Sequence, residues 1–332
     1  MKKIAVACLV MVLVTLAYGS GQEEGEVIKL RYAHMNSPES VAGKQAVYFA
    51  EMVKEKTGGE IIVEVYPSSQ LGTIQEQAEM VSNGTVAFHH NTMAGIGSLY
   101  PDYAVLDTPF LYKSVDHLMR VTDVNSPVMK KLNDGAIAER NIRNIYNFFF
   151  GARQLTTNKA VYTPADLKGM KIRAIPFPIY MTAVEGMGAI ATPIDWSEVP
   201  TALATGAADG QENPVGVIYA NKLFDIQSHM MVTSHIMGAE CVVMNEAVWK
   251  SLTESQKKAV MEAAEETAEW ATAKTIESEQ ADIEKLKEVG MTVITADNGL
   301  QIDAFRESVT ALVRERFDDK YGDLYSIIDT IK

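Results

Sequence analysis

Residues 253–290 read TESQKKAVMEAAEETAEWATAKTIESEQADIEKLKEVG, and this stretch decides the fold. Thr253 and Gln256 form a capping box, a pattern with which many helices begin. Neither proline nor glycine interrupts the sequence before Gly290, where the helix is predicted to end. About 36 helical residues, each rising about 1.5 Å, span roughly 54 Å. Because that length exceeds one small lobe, the helix is predicted to connect two lobes.

The N-terminal part of the chain alternates between strand and helix patterns. Residues 27–34 and 60–66 are predicted strands, and apolar residues at helical spacing lie between them. A second helix is predicted at about residues 73–83, followed by a short strand at 86–89. This order predicts an α/β lobe with helices on the faces of its sheet.

The passage into a second lobe is predicted near Gly151. The apolar strand NIYNFFF at residues 144–150 is predicted to end at this glycine, after which turn-forming residues dominate. The remaining predicted elements are strands at residues 171–175, 189–193 and 291–294, and helices at 179–186, 197–205 and about 300–320. The chain is therefore predicted to be α/β with two lobes.

The first nineteen residues have the pattern of a secretory signal peptide. Lys2-Lys3 precede an apolar stretch at residues 4–16, and Ala17-Tyr18-Gly19 is a small-x-small cleavage site. We expect residues 1–19 to be removed and the protein to be periplasmic. One of the two cysteines lies in this segment, so Cys241 alone remains and no internal disulfide forms.

The acidic balance restricts the partners. The chain has 43 acidic and 30 basic residues, a net charge of −13 that becomes −15 when the two lysines of the signal peptide are removed. This charge argues against nucleic acid or anionic lipid as a partner. An anionic ligand would need a local cationic group that acts against the general field.

Sequence motifs for catalysis and cofactor binding are absent. The chain has no GxSxG, no Walker-type glycine loop and no GxGxxG between a strand and a helix. His89 and His90 are adjacent on a predicted strand, so their side chains point to opposite faces and do not favour one metal site. We expect no catalytic residue, no metal and no cofactor.

Two arginines are candidates for binding an anion. Arg173 ends a short predicted strand before a proline-containing turn, and Arg153 follows the glycine at the edge of the NIYNFFF strand. Strand ends that face a crevice are where open α/β sheets place ligand groups. A guanidinium forms paired hydrogen bonds with a carboxylate. A surface ion pair is the alternative for either residue.

The stretch ADGQENPVG at residues 208–216 has two interpretations. Asn213 before Pro214 is the expected N-cap and start of a helix, predicted to run to about Phe224, with Gln211 and Glu212 solvated or bridging locally. Alternatively, the Asn213 amide turns toward a polar ligand.

Aromatic residues offer apolar walls for a ligand. Trp196 and Phe177 would present flat apolar surfaces in a cleft, and Tyr180 could pack beside them; a core position is the alternative for Trp196.

Five blocks of sequence resemble one known family. These are YPSSQLG (66–72), YPDYAVLDTPFLY (100–112), GARQLTTNKAVYTPADLKGMKIRA (151–174), GAIATPIDWSEVPTALATGAADGQENPVG (188–216) and TSHI (233–236). In order and spacing they resemble the extracytoplasmic solute-binding proteins of TRAP transporters, the DctP-type family, from about residue 27 to residue 325.

The resemblance implies a two-lobed periplasmic binding protein fold with a ligand cleft between the lobes and a long helix spanning both. Lobe one would comprise residues 27–150 plus about 239–278, and lobe two residues 151–238 plus about 279–330. Such proteins bind an organic acid, close over it and deliver it to a membrane permease with a small and a large subunit. A dicarboxylate, a sugar acid and an aromatic or branched acid all remain open, and we expect a monomer.

The resemblance also implies roles for particular residues. The arginine that clamps the substrate carboxylate falls on Arg173, the supporting arginine on Arg153, the amide on Asn213 and the aromatic wall on Trp196. In lobe one the segment after the TVAFHH strand supplies Asn91 and Thr92. Some relatives that take sugar acids carry a carboxylate near Thr92, and relatives usually carry tyrosine in place of Pro200, so this chain departs from the pattern at both positions.

Two other functions remain open from the sequence. A secreted enzyme acting on carboxylates would use His34, His89 or His90 as its general base. A binding protein that signals through a membrane receptor would have the same site as a transport protein. His34, at the end of the first strand, is also a candidate ligand contact.

Overall fold

The fold is taken from a computed structural model that describes residues 27–332. The predicted signal peptide at residues 1–19 lies outside these residues. The structure contains ten strands within residues 27–332: β1 Ile28–Ala33, β2 Ile61–Tyr66, β3 Phe88–Thr92, β4 Ile142–Thr157, β5 Lys171–Ala174, β6 Ile190–Pro193, β7 Gly210–Pro214, β8 His229–Met231, β9 Met237–Asn245 and β10 Thr292–Ile294.

The same residues form eleven α-helices. In chain order they are α1 Val41–Lys56, α2 Ile74–Ser82, α3 Met93–Ile96, α4 Val115–Val121, α5 Pro127–Arg140, α6 Pro178–Gly186, α7 Val199–Thr205, α8 Val215–Ala220, α9 Glu246–Ser251, α10 Glu254–Glu288 and α11 Ile302–Asp329. None of the helices between residues 27 and 332 combines the length and apolar character of a membrane span.

Two lobes share one mixed sheet. In the first lobe β2, β1 and β3 are parallel, and β9 lies antiparallel between β3 and the first part of β4. In the second lobe the last part of β4 pairs antiparallel with β7 and β8, and β5 joins β7 to β6 in parallel. The predicted α/β class is confirmed, and β4 is the strand that belongs to both lobes.

The strand predicted to stop at Gly151 continues through it. Gly151 has φ +119°, and the β4–β9 register shifts between Phe149 and Gly151. The strand bends there and goes on to Thr157, because β7 offers a new pairing partner from Arg153 onward. The prediction of a strand end was therefore wrong, whereas the predicted passage into the second lobe near this glycine remains a prediction.

The long helix α10 has 35 residues, and its predicted capping box between Thr253 and Gln256 is present. Near its middle the Trp270 ring stacks on Tyr48 of α1, with ring centroids 4.8 Å apart. Toward its end Lys285 Nζ lies 5.2 Å from the ring centroid of Tyr219 in α8. The helix contacts both lobes, as its length predicts.

The C-terminal helix α11 also reaches both lobes. Ser308 Oγ donates to the carbonyl of Gly186 at the end of α6 in the second lobe. Farther along, Tyr321 OH donates to the carbonyl of Pro101 in the first lobe. The helix runs to Asp329 and not to about residue 320 as predicted, because Tyr321, Leu324 and Ile328 continue its buried face. The predicted lobe boundaries remain a prediction.

Gly151→Ala is expected to lower the free energy of unfolding by about 1–3 kcal/mol, because a side chain is strained at positive φ. The added Cβ would also lie 2.8 Å from Pro214 Cβ. Gly322→Ala is the matched control, since Gly322 lies in α11 with open space around it. It should raise stability by about 0.5–1 kcal/mol. Urea unfolding measures both, and equal stability of the two variants would contradict a strained crossing at Gly151.

Candidate functional site

A cavity of about 30 Å³ lies between the two lobes. This volume holds about two water molecules, so the lobes are closed. Beside the cavity the lobes also touch, since the Ile74 amide of α2 donates to Asp195 Oδ2 at 3.3 Å. Six of the eight predicted ligand-binding residues line the cavity, namely Arg173, Arg153, Asn213, Trp196, Thr92 and Asn91.

Arg173, on β5, is a buried cation with unused donors. Its side chain is 1% exposed, and its Nε donates to the Ile194 carbonyl at 2.9 Å. Its Nη2 has no hydrogen-bond partner within residues 27–332. Burial lowers the pKa of Arg173 to about 10, which leaves it charged at neutral pH, and Glu212 opposes that shift. The Trp196 ring centroid lies 5.8 Å from the guanidinium carbon. The site therefore contains a guanidinium that can accept an anionic partner.

Arg153, on β4, already has a carboxylate partner. Its Nε and Nη2 both donate to the Glu212 carboxylate, with the Nη2–Oε1 distance at 2.9 Å. Nη2 also donates to Asn213 Oδ1 at 3.1 Å, and the Tyr180 ring centroid lies 5.0 Å from the guanidinium carbon. The positive charge of Arg153 is thus largely neutralised within the protein.

Glu212 is buried on β7 and is not solvated, which corrects one alternative considered for it. Strand alternation does not expose it, because all five residues of β7 are buried and both faces of the strand are therefore covered. Burial alone raises the pKa of Glu212, but Arg153 and a hydrogen bond from His235 outweigh burial and lower the pKa to about 2. His235 Nε2 lies 3.1 Å from Glu212 Oε2. A buried ion pair therefore supports the floor of the cavity.

Asn213 lies in a strand and is not a helix N-cap. It pairs with Gln154 of β4, and Pro214 occupies the N-cap position of α8, which ends at Ala220. The predicted cap and the predicted helix to about Phe224 were wrong, because strand pairing continues through Pro214. As a strand-end residue Asn213 lines the cavity, the second of the two interpretations.

The first lobe contributes the ends of β3 and β9. Asn91 Oδ1 accepts from the Thr92 amide at 2.9 Å, and Thr92 Oγ1 accepts from the Gly95 amide at 3.1 Å. Glu240 on β9 lies directly opposite Thr92 and also lines the cavity. The sequence interpretation missed Glu240. An acidic residue inside the apolar run GAECVVMN is a signal that could have found it.

Phe177 and His34 do not line the cavity. The chain bends at Pro176 and Phe177 before α6, which ends the alternation of β5, and Phe177 is buried in the core. His34 stacks on His90 with ring centroids 4.6 Å apart, and its Nδ1 accepts from the Asn36 amide at 3.2 Å. Each of the two side chains is thus packed inside its own lobe and does not reach the cavity.

The histidines also bear on the enzyme alternative. His34, His89 and His90 are fully buried in the first lobe, and none of them lines the cavity. Burial lowers the pKa of His34 to about 3 and that of His89 to about 4. No group of three or more His, Cys, Asp or Glu suited to a metal ion occurs in the described residues.

Pro200 is compatible with the helix it enters. It lies in the first turn of α7, where its missing amide hydrogen is not needed, and the helix ends at Gly206 with a left-handed φ of 74°. A short 3₁₀ turn that includes Trp196 precedes α7, so the helix starts at Val199 and not at residue 197 as predicted. That turn sets Trp196 half-buried beside Arg173.

Comparison with known proteins gives one consistent result. The family model described as bacterial extracellular solute-binding protein, family 7 (DctP), matches residues 32–320. Solute-binding protein RD1_1052 of Roseobacter denitrificans is 30% identical over an alignment covering 96% of this chain and 97% of that protein. Its structure with bound L-galactonate superposes with a TM-score of 0.85 at 28% identity, covering 92% of this chain and 99% of that one.

Two further solved structures are similar over nearly the whole chain. A TRAP periplasmic solute-binding protein from Bordetella bronchispeptica, with density interpreted as pantoate, has a TM-score of 0.85 and 31% identity, covering 92% of this chain and 99% of that one. One from Sulfurospirillum deleyianum with bound succinate has a TM-score of 0.84 and 26% identity, covering 93% and 100%. The ligands named for these structures are organic acids.

Glu212→Gln is expected to lower the free energy of unfolding by about 3 kcal/mol at pH 7, because Arg153 loses its buried ionised partner. Glu277→Gln is the matched control: it removes the acid of an exposed pair with Lys274 and should leave the free energy of unfolding essentially unchanged. The pKa of Glu212 is lowered in the folded protein, so its stabilisation is present above about pH 4.5 and is lost as the pH falls toward about 2. Urea unfolding across this range should show the difference from wild type shrinking; a constant difference would contradict the ion pair.

Proposed function

This chain belongs to the DctP family, family 7 of the bacterial extracellular solute-binding proteins, and we propose that it captures a small organic carboxylate between its lobes. The observation that carries this proposal is Arg173. It is a buried guanidinium at the wall of the cavity between the lobes, and its Nη2 has no hydrogen-bond partner among the described residues. A carboxylate is the planar anion that matches a guanidinium with two parallel hydrogen bonds.

The residues around Arg173 have different roles in the proposal. Arg153 and Asn213 form the polar end of the site, with Arg153 held in place by Glu212 and contributing less charge to the ligand than Arg173. Trp196 provides an apolar wall on the second lobe. Asn91 and Thr92 add polar side chains from the first lobe. Phe177 and His34 are left out of the proposed site, because neither lines the cavity.

Closure of the lobes strengthens binding. The site is assembled from β3 of the first lobe and from β4, β5 and β7 of the second, so a ligand in the cavity contacts both. Once water is excluded, the effective dielectric constant falls and the attraction between Arg173 and a carboxylate grows. The ligand thereby favours the closed state over the open one.

Delivery to a membrane permease is the proposed consequence of closure. The sequence resembles the binding proteins of TRAP transporters, and the superposed structures are described as TRAP periplasmic solute-binding proteins. We propose a periplasmic location, supported by the signal pattern at residues 1–19, and a permease of a small and a large subunit as the partner. The closed pair of lobes would be the shape that the permease recognises.

A library of organic acids tests the function by thermal shift. A ligand present at 100 times its dissociation constant adds about 2.7 kcal/mol to the free energy of unfolding. We expect carboxylates to raise the melting temperature and the matching amides or alcohols to leave it unchanged. An assay for products made from the acids that raise the melting temperature distinguishes binding from catalysis. Conversion of a bound acid would favour the alternative function, a secreted enzyme acting on carboxylates.

Arg173→Ala is expected to weaken binding of a carboxylate found by that screen by about 2–3 kcal/mol, or about 30- to 150-fold in Kd, because it removes a buried charged donor. Arg306→Ala is the matched control, since that arginine lies on α11 with a 55% exposed side chain paired to Asp303. Its Kd should stay within about 2-fold of wild type. Calorimetry measures both, and an unchanged Kd for Arg173→Ala would remove this residue from the site.

Trp196→Ala is expected to cost a smaller amount, about 1–2 kcal/mol, for acids with apolar surface, because the indole contributes a flat apolar wall. For small, fully polar acids we expect a loss of less than about 0.5 kcal/mol. Calorimetry with one acid of each kind measures the difference. Equal losses for both acids would indicate that the indole positions Arg173 and does not contact the ligand.

A further inference from the structure

Glu240 is a buried acid at the cavity with no partner in the described residues. Its side chain is 1% exposed, and its Oε2 has no hydrogen-bond partner within residues 27–332. It lies on β9, opposite Thr92 on one side and Phe148 on the other. Both Glu240 and Thr92 line the cavity, as directly opposed residues of an antiparallel pair share one face. The carboxyl group is therefore available to a molecule in the cavity.

The surroundings of Glu240 favour its neutral form. Burial raises the pKa of Glu240 well above that of an ordinary glutamate, and the nearby Asp107 raises it further, while Arg153 opposes them. Arg153 cannot compensate for an ionised Glu240, because it is already paired with Glu212. An ionised carboxylate without a partner is strongly disfavoured in such a place. A neutral carboxyl group has one O–H donor and a carbonyl acceptor.

The charges that line the cavity leave room for one anionic group. The ionisable residues of the lining are Arg153, Arg173 and Glu240. Since Arg153 is balanced by Glu212, one carboxylate of a ligand balances Arg173. A second carboxylate near Glu240 would have no cation to balance its charge. Its negative charge would also oppose the ionisation of Glu240 further. A hydroxyl group instead can both donate to and accept from a carboxyl group.

We propose that Glu240 is a specificity-determining residue, which exchanges hydrogen bonds with a hydroxyl group of the ligand and selects hydroxylated monocarboxylates over dicarboxylates. This inference rests on the proposed function, because Arg173 must hold the ligand carboxylate. It assigns a role to a residue that the sequence motifs do not mark. Of the three classes of acid that the sequence left open, it favours the sugar acids, which carry hydroxyl groups, over the dicarboxylates.

The test uses four-carbon acids that differ only in their substituents. The probes are butanoate, the erythro and threo diastereomers of 2,3,4-trihydroxybutanoate, succinate, and 2-amino- and 4-aminobutanoate. By calorimetry on the wild-type protein, we expect a trihydroxybutanoate to bind at least about 10-fold more tightly than butanoate or succinate, the scale expected when one buried polar group gains or lacks its hydrogen-bond partner. Tightest binding of succinate would overturn the proposal.

Two variants separate the hydrogen bond from the shape of the site. Glu240→Leu should weaken trihydroxybutanoate at least about 10-fold and leave butanoate within about 3-fold, because only the hydroxylated acid loses a partner. Glu240→Gln keeps a neutral donor and acceptor of the same shape, so it should bind trihydroxybutanoate within about 3-fold of wild type. An equal loss for both acids in Glu240→Leu would show a structural role and overturn the proposal.

Proton exchange tests the neutral form independently of affinity. Calorimetry in two buffers with different ionisation enthalpies gives the number of protons exchanged on binding, and we expect the same number for wild type and Glu240→Gln. A difference between them would show that Glu240 changes its charge on binding. Tightest binding of an aminobutanoate together with that difference would assign Glu240 to an ammonium group instead.

The outcomes also separate this inference from the proposed function. If acids bind and Arg173→Ala weakens their binding as expected, while Glu240→Leu changes the Kd of every acid by the same factor, the proposed function stands and the role of Glu240 fails. If no carboxylate binds the wild-type protein at millimolar concentration, both fail. The melting temperature of Glu240→Leu serves as the folding control, since an apolar side chain in place of an unpaired buried acid should not lower it.

Discussion

A buried guanidinium needs a partner, and the two arginines of this cleft meet that requirement differently. Arg153 finds its carboxylate within the chain, in Glu212 on the neighbouring strand. Arg173 has only the Ile194 carbonyl for its Nε, and its Nη2 has no partner in the described residues. Since an unpaired buried charge costs several kcal/mol, the protein holds Arg173 in an unfavourable state that a bound anion relieves. The ion pair of Arg153 joins two neighbouring strands, and Arg173 is the residue that we propose provides the affinity.

The strands that carry these residues also connect the lobes. β4 pairs with β9 in the first lobe and with β7 in the second, and the change of partner follows the bend at Gly151. Arg153 lies two residues beyond this bend, while α10 and α11 contact both lobes. The proposed binding residues therefore lie beside the segments that would have to bend if the lobes opened. A ligand that holds Arg173 and reaches the ends of β3 and β9 would restrain those segments directly.

Local signals in the sequence predicted the helices well, and non-local pairing accounts for most of what was missed. The capping box at Thr253 and the glycine at 290 define α10 by themselves, and the structure places its ends within a residue or two of the prediction. β7 and β9 depend on partners far along the chain, so ADGQENP resembled a helix start and GAECVVMN was not identified as a strand. The position of Arg173 followed from a strand end before a turn. The burial of Phe177 could not be predicted in this way, because the chain bends at residue 176 and the alternation of β5 ends before Phe177.

Ion pairing and burial of acidic residues explain how an acidic protein can present a site to an anion. The chain has a net charge of −13, and salt screens the charges at its surface within about 8 Å at physiological ionic strength. The acids that matter are the ones beside the cavity, where screening is weak. Glu212 is neutralised by Arg153, and burial favours a neutral Glu240. With these two carboxyl groups removed from the local balance, the charge of Arg173 dominates the cavity. In the proposed function, the selectivity of the site for an anion therefore depends on the partners and burial of two glutamates as much as on the arginine itself.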